Sequence, residues 1–238
     1  MKVRVGTSGY AYKAWKGSFY PADLGDSDML SFYAQRLGVV EINNTFYRMP
    51  TSALLQKWIE KVPEDFCFVL KAPKRITHQK RLSALAAEDL AFFLETASVL
   101  GQRLGAALFQ LPPFFKKDVP RLRDFLARIP AGVRAAFEFR HASWFDDEVY
   151  DVLRSRQAAL CSADTDESGD EGAPIVPTAP WGYLRLRRAD YQDADLAGWA
   201  ERVIGQPWTE AFVFFKHEDE GKGPELARRF EERLPRSS

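Results

Sequence analysis

Short runs of β-branched and aromatic residues alternate with longer amphipathic runs from one end of the chain to the other, and this alternation restricts the fold more than any other feature. Strands separated by helix-length segments are joined by crossovers, so they lie parallel, and a parallel sheet needs helices to cover its faces. The strand runs are Val3–Ser8, Val39–Asn43, Phe66–Lys71, Ala106–Gln110, Ala135–Arg140, Ala159–Ala163, Tyr183–Arg187 and Ala211–His217. Helix runs fall at Asp28–Leu37, Ser52–Val62, Ala84–Leu100, Val119–Ile129, Asp146–Arg156, Asp193–Ile204 and Pro224–Leu234. Ser27 and Thr51 stand where the caps of the first two helices belong, and Pro224 where a first-turn proline belongs. Eight strands with helices between them in 238 residues fit an α/β fold of the TIM type, a (β/α)8 barrel, better than an open doubly wound sheet. The sixth unit breaks the pattern: the acidic and glycine-containing residues 164–172, followed by Pro174, Pro177 and Pro180, cannot carry a regular helix.

The material for such a core is present, with 46% hydrophobic and 13% aromatic residues, and one domain over residues 1–238 is expected. Charge excludes a further class of answer. The 33 basic and 33 acidic side chains cancel, leaving no global field to attract nucleic acid or an anionic membrane, so any anion site must be local. Arginine, the residue suited to bidentate grip on carboxylate or phosphate, supplies 21 of the basic side chains. Cys67 and Cys161 sit in apolar runs, so both are expected to be buried, reduced and unpaired, as in a cytoplasmic protein. No stretch reaches the ~20 apolar residues of a membrane span, and no membrane partner is expected.

TIM barrels build their active sites at the C-terminal ends of the strands. Here those ends carry Gly6-Thr7-Ser8-Gly9-Tyr10, then Glu41 and Asn43, Lys71 with His78 beyond it, Gln110, Glu138-Phe139-Arg140-His141 followed by Trp144, Asp164, Arg185 and Arg187, and Lys216-His217-Glu218. The two-residue period of a strand puts Glu41 with Asn43, Glu138 with Arg140, and Arg185 with Arg187 on common faces. The opening glycine run lacks the full spacing of a phosphate loop, so it reads as a tight turn that lets Tyr10, Tyr12 and Trp15 fold over the mouth.

Taken together, these strand ends resemble the signature blocks of the domain-of-unknown-function 72 (YecE-like) family. The blocks are Gly6-Thr7-Ser8-Gly9-Tyr10 leading to Trp15, the run from Glu41 through Asn43-Asn44-Thr45-Phe46-Tyr47 to Pro50, Phe109-Gln110-Leu111-Pro112-Pro113, Glu138-Phe139-Arg140-His141-Ala142-Ser143-Trp144, and Tyr183-Leu184-Arg185-Leu186. The resemblance spans nearly the whole chain and implies a TIM-type barrel, but it implies no particular chemistry. One block departs from it: Arg187-Arg188 stands where many relatives carry a His-Gly pair.

The residue types favour an enzyme that acts by general acid/base chemistry on a small polar, anionic substrate. Glu138 is the lead catalytic candidate, with Glu41 or His141 as the second proton-transfer group. Arg140, Arg185, Arg187, Lys71, Asn43, Gln110, Tyr10 and Trp144 are the substrate-binding candidates. The opposing view of Glu138 and the arginines is an interlocked ion-pair layer that only fills the barrel. Lys71 is also placed where other barrels form a Schiff base, but no local pattern signals the desolvation such chemistry needs. Phe46, Tyr47, Trp144, Trp181 and Tyr191 extend the aromatic set and offer a stacking surface for a sugar or base, or plain packing. The three histidines, His78, His141 and His217, show no metal-ligand spacing among themselves or with nearby carboxylates, so no metal site is assigned and no cofactor is named. Two other functions stand beside the enzyme: a metal-dependent nucleic-acid-processing barrel, and a barrel that binds a ligand without turning it over.

Overall fold

The computed structural model describes residues 1–165, 172–188, 190–217 and 219–235. Eight parallel strands close on themselves in sequence order: β1 Lys2–Ser8, β2 Val39–Ile42, β3 Cys67–Lys71, β4 Leu104–Gln110, β5 Ala135–Glu138, β6 Ala159–Asp164, β7 Trp181–Leu186 and β8 Glu210–Phe215. Closure is made by β1 and β8, paired in register from Lys2 with Glu210 to Thr7 with Phe215. Pairing both otherwise open edges is what an eight-stranded parallel sheet gains by closing.

The α-helices are α1 Met29–Ala34, α2 Asn44–Tyr47, α3 Ser52–Ile59, α4 Ala87–Ala97, α5 Val119–Ala127, α6 Asp147–Ser155, α7 Asp193–Ile204 and α8 Lys222–Glu231. Thr51 caps α3 as expected, accepting a hydrogen bond from the Leu54 amide. Ser27 does not cap α1, because residues 26–28 already form a 3-10 turn leading into it. Pro224 is the third residue of α8, whose N-cap is Gly221 at φ +78°. Between β6 and β7 the described residues hold no helix, and Ala163 pairs with Ala173 in an isolated antiparallel bridge.

Two cores share the strands. Outward-facing residues such as Val40, Phe68, Ala107, Phe137 and Leu184 pack under the helices. The alternate residues fill the cylinder: Val39, Cys67, Val69, Ala106, Leu108, Ala136, Cys161, Tyr183, Phe212 and Phe214 form a separate apolar cluster. Both cysteines are free and buried there, as the sequence suggested. Gly6 is required on β1, because a Cβ at that position would stand 2.1 Å from the Val39 carbonyl oxygen and force the first two strands apart.

Candidate functional site

The two-residue period that places Val39, Val69, Leu108, Ala136 and Tyr183 inside the cylinder carries the same face upward to Glu41, Lys71, Gln110, Glu138 and Arg185. On β1 the corresponding position is Ser8. The interior therefore changes from apolar to polar within one residue pair per strand, at the end where barrels hold their sites.

Arg185 is the centre of this layer. Its Nη2 donates to Glu41 Oε1 at 2.8 Å and its Nη1 to Glu138 Oε2 at 2.6 Å, with all three side chains at most 2% exposed. Tyr183 OH donates to the second oxygen of Glu41 at 2.6 Å, and Asn43 Nδ2 to the first at 3.3 Å. Arg140 Nε donates to Glu138 Oε1 at 3.2 Å, and Arg187 Nη2 stands 3.8 Å from the same oxygen. Burial pushes the Glu138 carboxyl up, but the charges of Arg185, Arg140, Arg187 and Lys71 outweigh it and hold Glu138 well below the usual carboxylate range. Burial likewise opposes the Arg185 charge, and the two glutamates outweigh it.

Lys71 belongs to this layer on different terms. It is 8% exposed, its Nζ lies 4.3 Å from the centre of the Phe46 ring, and among the described residues no carboxylate pairs with it. Burial first, then Arg185, brings its amine down to about 7 against the pull of Glu138 and Glu41. His78 packs perpendicular to the same Phe46 ring, with the two ring centres 4.9 Å apart. Its imidazole is lowered to about 4 by burial, Lys71 and Arg140, so it is neutral at physiological pH.

Several buried polar atoms of the layer meet no partner among the described residues: Ser8 Oγ, Asn43 Oδ1, Gln110 Nε2 and Arg185 Nε. Each such atom costs about 1–3 kcal/mol when nothing answers it, and a buried cluster of them calls for an explanation beyond packing.

Not every expected residue joins them. Trp144 is fully buried, stacked 4.5 Å from Phe139, with its indole N–H given to the Phe115 carbonyl at 2.6 Å, so it packs the core and presents no face to a ligand. Trp15 is buried among Tyr12, Phe19 and Tyr20. Tyr191 gives its hydroxyl to Asp164 at 2.9 Å, and Trp199 donates to the same carboxylate oxygen at 3.1 Å, which removes Asp164 from the mouth. The expected aromatic platform is therefore not assembled from these residues. Tyr10 and Asn43 instead line a small cavity of about 70 Å³ beside β1 and β2. His141 accepts a hydrogen bond from the Ser143 amide at 3.1 Å on Nδ1 and caps its own turn, while His217 Nε2 is bonded to the Arg188 carbonyl. Glu218 lies outside the described residues. Among the described residues, no three His, Cys, Asp or Glu side chains are grouped to hold a metal ion.

Tyr183 is a site member that the reading of strand ends did not select, and His78, noted beyond the third strand, was given no role there. For Tyr183 the signal was available, since it lies two residues before Arg185 on the same face. His78 reaches the mouth through the π-helical turn Arg75–Gln79 after Pro73, a form the sequence pattern does not announce.

Similar proteins agree on the fold and leave the chemistry open. A Thermotoga maritima protein described as a DUF72 family protein matches over 98% of both chains with 28% identity and a TM-score of 0.86. An Enterococcus faecalis protein of the same description covers 99% of this chain and 96% of its own, at 21% identity and a TM-score of 0.79, which speaks for the fold alone. Among curated relatives, UPF0759 protein YunF of Bacillus subtilis is 26% identical over 84% of this chain and 74% of its own length. UPF0759 protein YecE of Escherichia coli K12 is 35% identical over 49% of this chain and 43% of its own. A family model described as "Protein of unknown function DUF72" matches residues 4–238, and with the barrel and the five strand-end blocks in place, the chain belongs to the DUF72 family.

Proposed function

We propose that this protein is an enzyme that binds a small anionic molecule at the mouth of the barrel and acts on it by proton transfer. The observation that carries this reading is the inward layer itself, where Ser8 Oγ, Gln110 Nε2 and Arg185 Nε are buried without partners among the described residues, around a guanidinium and a buried amine. A guest with carboxylate or phosphate oxygens satisfies the Ser8, Gln110 and Arg185 donors and offsets the cost of burying them.

Roles within the layer follow from charge. Glu138 has three arginines around one carboxylate, which keeps it ionised at neutral pH and makes it a poor general acid. It acts together with Glu41 as the counter-ion that fixes Arg185 in position. Proton transfer then falls to the groups whose affinity lies nearer neutrality, Lys71 first and His78 as its neutral neighbour. Arg140, half-buried at the outer edge of the layer, is placed to meet the substrate as it enters.

A panel of small carboxylates and phosphates tested by thermal shift decides the binding half of this reading. A ligand at a hundred times its Kd adds about 2.7 kcal/mol of stability. The wild-type protein should show such a shift, and Gln110→Leu and Arg140→Gln should reduce it. No shift with any anion, or equal shifts in the variants, removes the mouth as the anion site.

A further inference from the structure

Ion pairing is complete for the two glutamates of the mouth and, among the described residues, absent for its lysine. Both oxygens of Glu41 are taken, by Arg185 and Asn43 on one and Tyr183 on the other. Those of Glu138 are taken by Arg185 and Arg140. Lys71 is left over the face of Phe46. Its backbone is pinned by Thr45, whose hydroxyl donates to the Lys71 carbonyl at 2.7 Å, so the side chain projects from a fixed strand end into the layer. An amine held in this way, mostly desolvated and beside another cation, has the two properties that make a lysine nucleophilic: it is neutral for part of the time, and no hydrogen bond occupies its lone pair when it is.

We propose that Lys71 forms a covalent imine with a small aldehyde or ketone that also carries a carboxylate or a phosphate. The proposal rests on the binding reading above for the anionic group, which Arg185 Nε and Gln110 Nε2 are free to receive. In the covalent step the Nζ lone pair attacks the carbonyl carbon. A C–N bond forms, and the carbonyl electron pair moves to oxygen, which takes up a proton. Nitrogen loses a proton, and the carbinolamine then loses its C–O bond. Both hydrogens of the neutral amine leave in the water that departs, and the imine nitrogen takes one proton to become an iminium. Nothing is oxidised or reduced. The groups facing Lys71 are Arg185 from β7, Glu138 and Arg140 from and just after β5, Glu41 from β2 and His78 from the turn after β3. They set a field in which the amine, at about 7, is roughly half neutral at pH 7, against about one part in a thousand or less for a surface lysine near 10.4.

The test is reductive trapping of the full chain with sodium cyanoborohydride and three probes: glyoxylate, glycolaldehyde phosphate and uncharged glycolaldehyde. Adducts are then located by peptide mass mapping. The expected result is modification of Lys71 at least about tenfold faster than of any other lysine at pH 7, with an anionic probe faster than the neutral one. The faster of the two anionic arms shows whether carboxylate or phosphate is the recognised group. The rate at Lys71 should level off above about pH 7, while surface lysines go on gaining reactivity towards pH 10. Modification spread evenly over the lysines, or absent at Lys71, overturns the imine. Lys71→Arg removes the nucleophile and should abolish trapping at this position. Anions that shift the melting temperature without any trapping at Lys71 defeat the imine and leave the binding reading intact. Trapping at Lys71 with all probes alike, without an anion effect, defeats the anionic part of the proposal.

Discussion

Charge clusters stand at both ends of the same cylinder, and they are built differently. At the N-terminal end of the barrel Glu210 accepts from Arg4 at 2.7 Å and also pairs with Arg134, with side chains between 14% and 41% exposed. At the C-terminal end Glu41, Glu138 and Arg185 pair at similar distances with at most 2% exposed. The lower cluster keeps part of its hydration, so it gains and costs less than the upper one. Desolvation makes the upper one expensive, and it leaves donors such as Gln110 Nε2 and Arg185 Nε without a partner among the described residues. A barrel that needed only to plug its end had the cheaper solution available in its own sequence.

The largest expected effect breaks the upper cluster. Glu138→Gln keeps the shape and strands Arg185 and Arg140 with one fewer charge, and it should cost about 4 kcal/mol in urea unfolding. A loss below about 1 kcal/mol would make the two ends equivalent. Next comes a change of opposite sign. In the folded protein Lys71 titrates at about 7, whereas an unfolded lysine titrates near 10.4. The unfolded chain therefore binds more protons between those values, and stability rises with pH across that window. Lys71→Met should be more stable at pH 7 by about 3 kcal/mol and should lose the rise, as measured by unfolding at pH 6, 8 and 9.5. Gln110→Leu should gain about 1 kcal/mol by removing an unanswered donor while weakening anion binding. The smallest effect belongs to the lower end, where Glu210→Gln should cost under about 1 kcal/mol and less still in 1 M salt.

The sequence made the barrel legible because its two periods are clean. Alternation of strand and helix runs placed all eight strands, with no end off by more than two residues, and α7 falls at the expected Asp193–Ile204. Strand ends were overrun where ladder pairing stops before the apolar pattern does. Arg140, Arg187 and His217 lie past β5, β7 and β8. The ion-pair layer was half legible: the spacing placed Glu41, Glu138 and Arg185 on one face, but it could not tell which partners would saturate which oxygens. Trp144 misled because position after a strand says nothing about direction, and its ring turned onto Phe139. Lys71 was visible as a strand-end lysine, yet its character comes from Phe46 beneath it and Arg185 across from it, residues 25 and 114 positions away along the chain, and no local pattern carries that.

Closure through β1 and β8 also has a consequence for how the chain is made. The register from Lys2–Glu210 to Thr7–Phe215 joins residues separated by roughly 200 positions, and at about 5–20 residues per second the ribosome delivers β8 some 10–40 s after β1. Throughout that interval β1 has only β2 beside it, and its other row of amides and carbonyls is open to any passing strand. Lys2 and Arg4, at the start of β1, are the residue type that discourages such strangers. The first strand therefore has two tasks at different times: it repels neighbours while the polypeptide is incomplete, and it accepts the last strand when that strand arrives.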